Sequence, residues 1–337
     1  MRAPLSLAGS KIKPGQQVTI QVPVARLYTH TEMTMPVHVI HGYKEGPRMF
    51  ISAAIHGDEI NGTEIIRRMM KLKRIKKLKG TLIAIPVVNV YGFLQQSRYS
   101  PDRRDLNRFF PGSGKGSLTS QLADIFMDEI VANSTHGIDL HAGSNHRTNL
   151  PQIRATVTDP QILQMAEAFR VPVIINANIR DGSLRQAVSE KNIPFLLYEA
   201  GEALRFDEVA IRAGIRGILS VMEDLGMLRR RRTRKKPIEP LIADETTWIR
   251  APSSGILHMH VPLGAKVDQD NKIGEIADPF SNHEEPIKSP ASGMVIGRLN
   301  LPLVHQGDAV INIAKIDRLA GIEPVIANFE EDVIGKS

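Results

Sequence analysis

The chain has 337 residues and a formal net charge of +7, from 43 Lys and Arg against 36 Asp and Glu, a length that fits about two domains of ~150 residues each. With 42% hydrophobic and 23% charged residues it has the composition of a globular protein, which excludes disorder and collagen-like repeats, and no apolar run approaches the ~18 residues of a membrane span. Within Met1–Lys11 the apolar patch Leu-Ser-Leu-Ala is too short for the apolar stretch of a secretory signal, so a cytoplasmic protein is expected. The absence of cysteine leaves His, Asp and Glu as the candidate metal ligands.

In chain order, Met49–Ile55 reads as a buried strand, Glu59–Met70 as a helix with Ile60, Thr63, Ile66 and Met70 on one face, and Thr81–Val88 as a second strand. The basic cluster Lys71–Lys79 falls at the end of that helix, where cations suit the dipole. A helix near Leu118–Val131, a strand near Gly137–His141 and a helix at Pro160–Phe169 follow. Strands at Val171–Asn176 and Pro194–Glu199 precede a helix at Asp207–Leu225. This alternation predicts an α/β domain over residues 1–228, with an N-terminal β segment and a mixed, mostly parallel sheet flanked by helices.

Residues 229–245 read as a basic linker: seven of the cations fall in Arg229–Lys236, and the rest of the chain is charge-balanced. Such a run suits either a solvated junction or a contact with nucleic acid or another anionic surface. The junction is favoured, because the run has no aromatic residue to stack on bases. From Thr246 the texture turns to short apolar stretches broken by Gly, Pro, Asp and Asn, so residues 246–337 are expected to be all-β. Pro252–Leu257 recurs as Pro290–Val295, and Val267–Ile276 is echoed by Gly307–Ile313, a two-fold repeat that resembles a lipoyl/biotinyl-type barrel. No Lys stands within Ala277–Phe280, where that fold carries its modified lysine, and the nearby Lys288, before Ser289-Pro290, reads as the start of the second half, so no tethered cofactor is expected.

Chemistry-bearing residues gather where strands end, the usual place for sites in open α/β sheets. His56-Gly57-Asp58-Glu59 follows the first strong strand, and a His and a Glu three apart across that turn can aim at one metal. A catalytic zinc takes three protein ligands and keeps a position open, and His141 in Asp139-Leu140-His141-Ala142-Gly143 is the third candidate. A His near a Glu at a helix start is also a common surface feature, so this pair alone establishes nothing. The companion motifs are Asn89–Phe93, Ser97-Arg98-Tyr99, Asp105–Gly112, Gly182–Arg185 and Tyr198–Gly201. In this order, from Phe50 to Gly201, the set resembles the succinylglutamate desuccinylase/aspartoacylase family, relatives of the zinc carboxypeptidases.

The resemblance implies one Zn2+ per chain on His56, Glu59 and His141, with Glu199 as the acid/base. It also implies Arg98 facing the scissile carbonyl, Asn107 and Arg108 holding the substrate carboxylate, and Arg185 as a further carboxylate-binding arginine. The implied activity is a zinc-dependent amidohydrolase acting on an N-acyl amino acid or similar small carboxylate-bearing substrate. Removal of a terminal residue from a short peptide is the alternative, since the same arginines would hold a terminal carboxylate. A nucleic-acid or acidic-partner binder on an inactive scaffold is the rival of another class; Glu199 beside three ligands argues against it. A homo-oligomer is compatible with this reading, and no membrane partner is expected. Arg103 and Arg104 read as loop solvation, Asp105 as an N-cap or internal pair, and Gly112–Ser117 as a mobile loop rather than a phosphate loop. All five tyrosines precede Glu199, so the tyrosine that aspartoacylases supply from their C-terminal part has no counterpart. The acyl-pocket contacts are therefore expected to differ.

Overall fold

In the computed structural model, which describes residues 2–144, 146–177, 179–231, 238–280 and 282–335, the apolar runs become strands of one large mixed sheet. A hairpin of β1 (Leu5–Leu7) and β2 (Ser10–Ile12) precedes the antiparallel pair β3 (Gln17–Arg26) and β4 (Glu32–His41). The sheet continues with β5 (Arg48–Ala53), β6 (Thr81–Ile85), β7 (His136–Gly143), β8 (Arg147–Ala155), β9 (Val173–Asn176) and β10 (Phe195–Glu202). Its spatial order is β3-β4-β6-β5-β7-β10-β8, with β9 on the far side of β8. Strands β6, β5, β7 and β10 run parallel, as do β8 and β9, whereas β3–β4, β4–β6 and β10–β8 are antiparallel. The sheet is mixed and flanked by helices, as expected, with a parallel centre β6-β5-β7-β10 and antiparallel pairs toward its flanks. Tight returns such as those joining β3 to β4 leave no room for a crossover helix, so the chain reverses.

Helices α1 (Asn61–Met70), α4 (Pro160–Phe169) and α6 (Glu208–Asp224) cover one face through Ile65, Met69, Phe169, Ile218 and Val221. The short α2 (Val90–Leu94) and α3 (Leu118–Glu129) cover the other, where Phe126 meets Phe50 edge-on at 5.9 Å, and α5 (Leu184–Ser189) joins the same core. Local chemistry sets the helix ends. Asp159 accepts from Gln161 and Ile162 N–H at the start of α4, Pro160 sits at its first position, and Arg170 closes it in the left-handed conformation.

The C-terminal region adds β11 (Leu241–Ala243), β12 (Thr246–Arg250), β13 (Gly255–Met259), β14 (Lys266–Val267), β15 (Lys272–Ala277), β16 (Glu284–Lys288), β17 (Gly293–Leu299), β18 (Leu303–Val304) and β19 (Ala309–Lys315). Strands β16-β15-β13-β18 form a separate sheet, and Leu257, Ile273, Val295 and Val310 pack between it and the β12-β19-β17 part of the large sheet. Pairing of Gly297 with Asn149 joins β17 to β8, and β11 lies parallel to β9. The region is β-rich rather than all-β, because the chain ends in α7 (Ile322–Val333). That helix docks on α6: Phe329 is 2% exposed, lies under the Arg216 guanidinium at 5.8 Å, and Arg216 pairs with Asp332 at 2.8 Å. Phe329→Ala is therefore expected to cost about 3–5 kcal/mol of stability in urea denaturation, the range for emptying a packed phenyl site. A change below about 0.5 kcal/mol, the scale of ordinary surface substitutions, would show that α7 is not part of the folded core.

Within the basic run, Arg230 pairs with Asp224 at 2.8 Å, while residues 232–236 lie outside the described residues. Among the described residues no helix is long and apolar enough to cross a membrane.

Candidate active site

Strand β5 ends at Ala53, and the turn into α1 carries His56 and Glu59. Gly57 is required here, since a Cβ on it would lie 1.9 Å from the backbone carbon of Gly92. Helix α1 begins at Asn61, two residues later than the periodicity suggests, so Glu59 stays in the turn with its side chain free to reach back. Its Oε1 lies 2.7 Å from His56 Nδ1. Its Oε2 lies 2.8 Å from Nδ1 of His141, on β7, and also accepts from Ala142 N–H at 3.0 Å. The three residues are buried, with their ligand atoms all within 4.8 Å of one another, the one such group among the described residues.

The outward nitrogens are also held. His56 Nε2 lies 3.0 Å from Asp105 Oδ1, and His141 Nε2 lies 2.6 Å from Asp139 Oδ2, while Asp139 Oδ1 accepts from Ser52 Oγ at 2.7 Å. A carboxylate only accepts, so each ring donates through both nitrogens in this arrangement. Burial works against the charged rings, yet Asp139 and Glu59 hold the pKa of His141 well above the ordinary histidine value, and Glu59 and Asp105 raise that of His56. Burial would raise Glu59, but the two imidazoles pull it well below the usual carboxylate range.

Glu199 sits on β10, in parallel register with His141. A bulge beyond it interrupts the ladder, and Asn149 Nδ2 donates to its Oε2 at 2.9 Å. Burial pushes the Glu199 pKa up, opposed chiefly by Arg154 and His141. All eight residues singled out in the sequence (His56, Glu59, His141, Glu199, Arg98, Asn107, Arg108 and Arg185) line one cleft of about 510 Å³.

Their partners differ. Arg98 is tied down: Nη1 donates to Glu59 at 3.1 Å and Nη2 to Asp105 at 3.0 Å. Asp105 also caps the turn Leu106–Arg108 by accepting from Asn107 N–H at 2.9 Å, so it is both the N-cap and the internal pair that the sequence left as alternatives. Asn107 Oδ1 accepts from Leu184 N–H at 2.9 Å, fastening this loop to the start of α5. Arg185 is buried and its pKa is lowered to about 10, first by burial and then by Arg154 and Arg180.

Several cleft residues escaped the sequence reading. Asn149 and Arg154 lie on β8, whose sequence Arg147–Ala155 alternates too irregularly and contains Pro151. Arg180 precedes α5, and Trp248, Arg250 and Gly307–Ala309 come from the β-rich region. Arg147 stacks over Trp248 at 5.4 Å. Trp248 stands among the lining residues where no tyrosine does. Asp139 carried a usable signal, since two residues before His141 on one strand places both on the same face. The Gly112–Ser117 segment is not a loop of the cleft; it folds onto α3, whose N-terminus Ser117 caps.

A family model described as the succinylglutamate desuccinylase/aspartoacylase catalytic domain matches residues 45–225. The chain is 27% identical over 286 residues to N-alpha-acetyl-L-2,4-diaminobutyric acid deacetylase of Halomonas elongata, an alignment covering 81% of this chain and 83% of that protein. The product-bound structure of the ectoine utilization protein EutE (DoeB) from Ruegeria pomeroyi superposes with a TM-score of 0.80 at 22% identity, covering 94% of this chain and 100% of that one. A succinylglutamate desuccinylase/aspartoacylase from Rhodobacter sphaeroides gives 0.78 at 23% identity, covering 89% and 95%. At such identities these two structures establish the shared fold.

Proposed function

We propose, on the premise that the chain belongs to the succinylglutamate desuccinylase/aspartoacylase family, that it is a zinc-dependent amidohydrolase. It binds one ion per chain and cleaves the amide of an N-acyl amino acid or a similar small carboxylate-bearing substrate in the cytoplasm. The observation that carries this reading is the buried His56–Glu59–His141 group beside the carboxylate of Glu199 in a cleft rich in arginine.

The donor set fits zinc. Two imidazole Nδ1 atoms and a carboxylate converge, and each ring's Nε2 is oriented by its own carboxylate, Asp105 or Asp139, the outer support that such ligands ordinarily have. A cation there would be held by His56, Glu59 and His141 in place of the protons between them. The ion, when bound, supplies a Lewis acid for the amide carbonyl and for the attacking water.

The chain's own residues do the rest. The Glu199 carboxylate takes the proton from the attacking water and returns it to the leaving amide nitrogen, and Asn149 fixes its orientation. Arg98 holds a guanidinium at the cleft wall, suited to negative charge developing on the carbonyl oxygen. Arg108 and Arg185 offer forks for a substrate carboxylate. Asn107, its Oδ1 already engaged, presents the donor end of its amide.

Metal analysis with a hydrolysis screen tests the proposal: N-acyl amino acids are expected to be cleaved and short peptides left intact. Hydrolysis of peptides alone would favour the carboxypeptidase-like activity. The outer support has its own expected effect. Asp139→Ala should weaken zinc affinity by ~10–100-fold in chelator competition, with turnover recovering at saturating zinc. Unchanged affinity would show that Asp139 does not orient His141.

A further inference from the structure

We propose that the end of the α/β domain opposite the cleft binds single-stranded nucleic acid, through a basic face that three separate segments of the chain build together. Helix α1 leaves the turn of the site and ends at Met70, while β5 and β6 start at Arg48 and Thr81. The segments beside these points therefore lie roughly 20 Å from the cleft, the length of a six-residue strand at ~3.3 Å per residue. Lys71–Lys79 follows α1, and Lys71, Lys73, Lys76, Lys77 and Lys79 are all exposed. Lys79 N–H donates to Met227 O at 2.8 Å, and Arg74 Nη2 donates to Arg229 O at 3.2 Å, so the start of the arginine run is laid against this segment. The loop before β5 closes the other side: Gly42 N–H donates to Gly80 O and Gly80 N–H to Lys44 O, both at 2.9 Å. Two basic stretches that are far apart in the sequence thus form one surface.

The nearby carboxylates do not neutralise this face. Glu223 is taken by Arg74, Asp224 by Arg230 at 2.8 Å, and Glu45 pairs with Arg2 at 3.5 Å. The five lysines make no ion pair among the described residues, nor do Lys44 and Arg229. The dipole of α1 favours cations only about its last turn, which accounts for Lys71 and leaves Lys76, Lys77 and Lys79 without a local partner. Like charges gathered on one face repel, and a row of phosphates removes that cost while releasing its own counterions. The arginine run contains no aromatic residue, but the fold supplies one. Tyr43, between the two residues bonded to Gly80, is 78% exposed, and its ring lies against the backbone of Gly15, where a Cβ would come 2.2 Å from the ring Cζ. A ring braced on one side and open on the other is a platform on which a base can stack. Tyr43 is the one exposed large hydrophobic among the described residues of these three segments, so the face lacks the apolar set that inserts into a lipid surface. An acidic polypeptide would meet the cations and leave the ring unused.

Fluorescence anisotropy of a labelled oligoadenylate, titrated with the full-length protein over a series of salt concentrations, tests the proposal. Binding is expected at low salt and should fall linearly in log Kobs against log salt. The combined variant Lys73→Gln, Lys76→Gln, Lys77→Gln and Lys79→Gln should flatten that slope by about 3, at ~0.7 for each of the four cations removed, whereas Arg at the same positions should preserve it. Tyr43→Ala should weaken binding by ~10-fold with the slope unchanged, the scale of one lost base–aromatic stack, and Tyr43→Phe should retain it. Turnover is expected to be the same in all these variants as in wild type, since none of the substituted residues lines the cleft. No binding at low salt would overturn the proposal, and so would a slope that survives removal of the lysines. An affinity indifferent to Tyr43→Ala would also overturn it, because the ring would then play no part. Tighter binding of polyglutamate, or of phosphatidylserine vesicles, than of the oligonucleotide would assign the face to an acidic polypeptide or a membrane instead. These outcomes are read without any substrate, so they stand apart from the success or failure of the amidohydrolase reading.

Discussion

Replacing His56 or His141 with alanine is expected to abolish zinc retention and turnover together, lowering kcat by ~10³-fold or more, a loss of several kcal/mol of transition-state stabilisation. Glu59 alone spans both rings, at 2.7 and 2.8 Å, so removing either ring takes away a ligand and leaves that buried carboxylate short of a partner. Two remaining ligands fall below the three that catalytic zinc ordinarily requires. Circular dichroism separates metal loss from unfolding, since α1 and β7 are held by an apolar core that the substitutions do not touch. Metal analysis of the purified variants is the check, and a stoichiometric ion retained in the His56/His141 double variant would contradict the ligand assignment.

Glu199→Gln is expected to separate binding from chemistry. Gln keeps the size of the side chain and an oxygen to accept from Asn149 Nδ2, yet it cannot take a proton as a carboxylate does. Zinc content should persist while kcat falls by ~10²–10⁴-fold, the range for a positioned acid/base. A near-normal kcat would remove Glu199 from the mechanism.

Much of this site was legible because its residues sit at strand ends, where short motifs survive in order. The turn after β5 places His56 and Glu59, and β7 places His141, whatever the rest of the chain does. The elements that escaped are those whose sequence serves two masters. Strand β8 alternates between core positions such as Ile153 and cleft positions such as Asn149 and Arg154, with Pro151 between them, so it lacks the apolar run of a buried strand. Helix α7 did carry a 3.6-residue period in Ile322, Ile326, Phe329 and Val333, but Pro324 and the preceding Gly321 read as β-region punctuation, and no side chain caps its start. Strand direction at the sheet flanks was not legible, because periodicity reports burial, not polarity of the chain. Trp248 and Arg250 reach the cleft only because β17 pairs with β8, a long-range contact with no local signature.

The most direct test is stoichiometric reconstitution. Metal-stripped protein titrated with zinc is assayed against the N-acyl amino acid that the screen finds best. Hydrolysis is expected to rise linearly with added zinc and to plateau at one ion per chain, whereas full activity in the stripped protein, or zinc binding without any return of activity, would contradict the account.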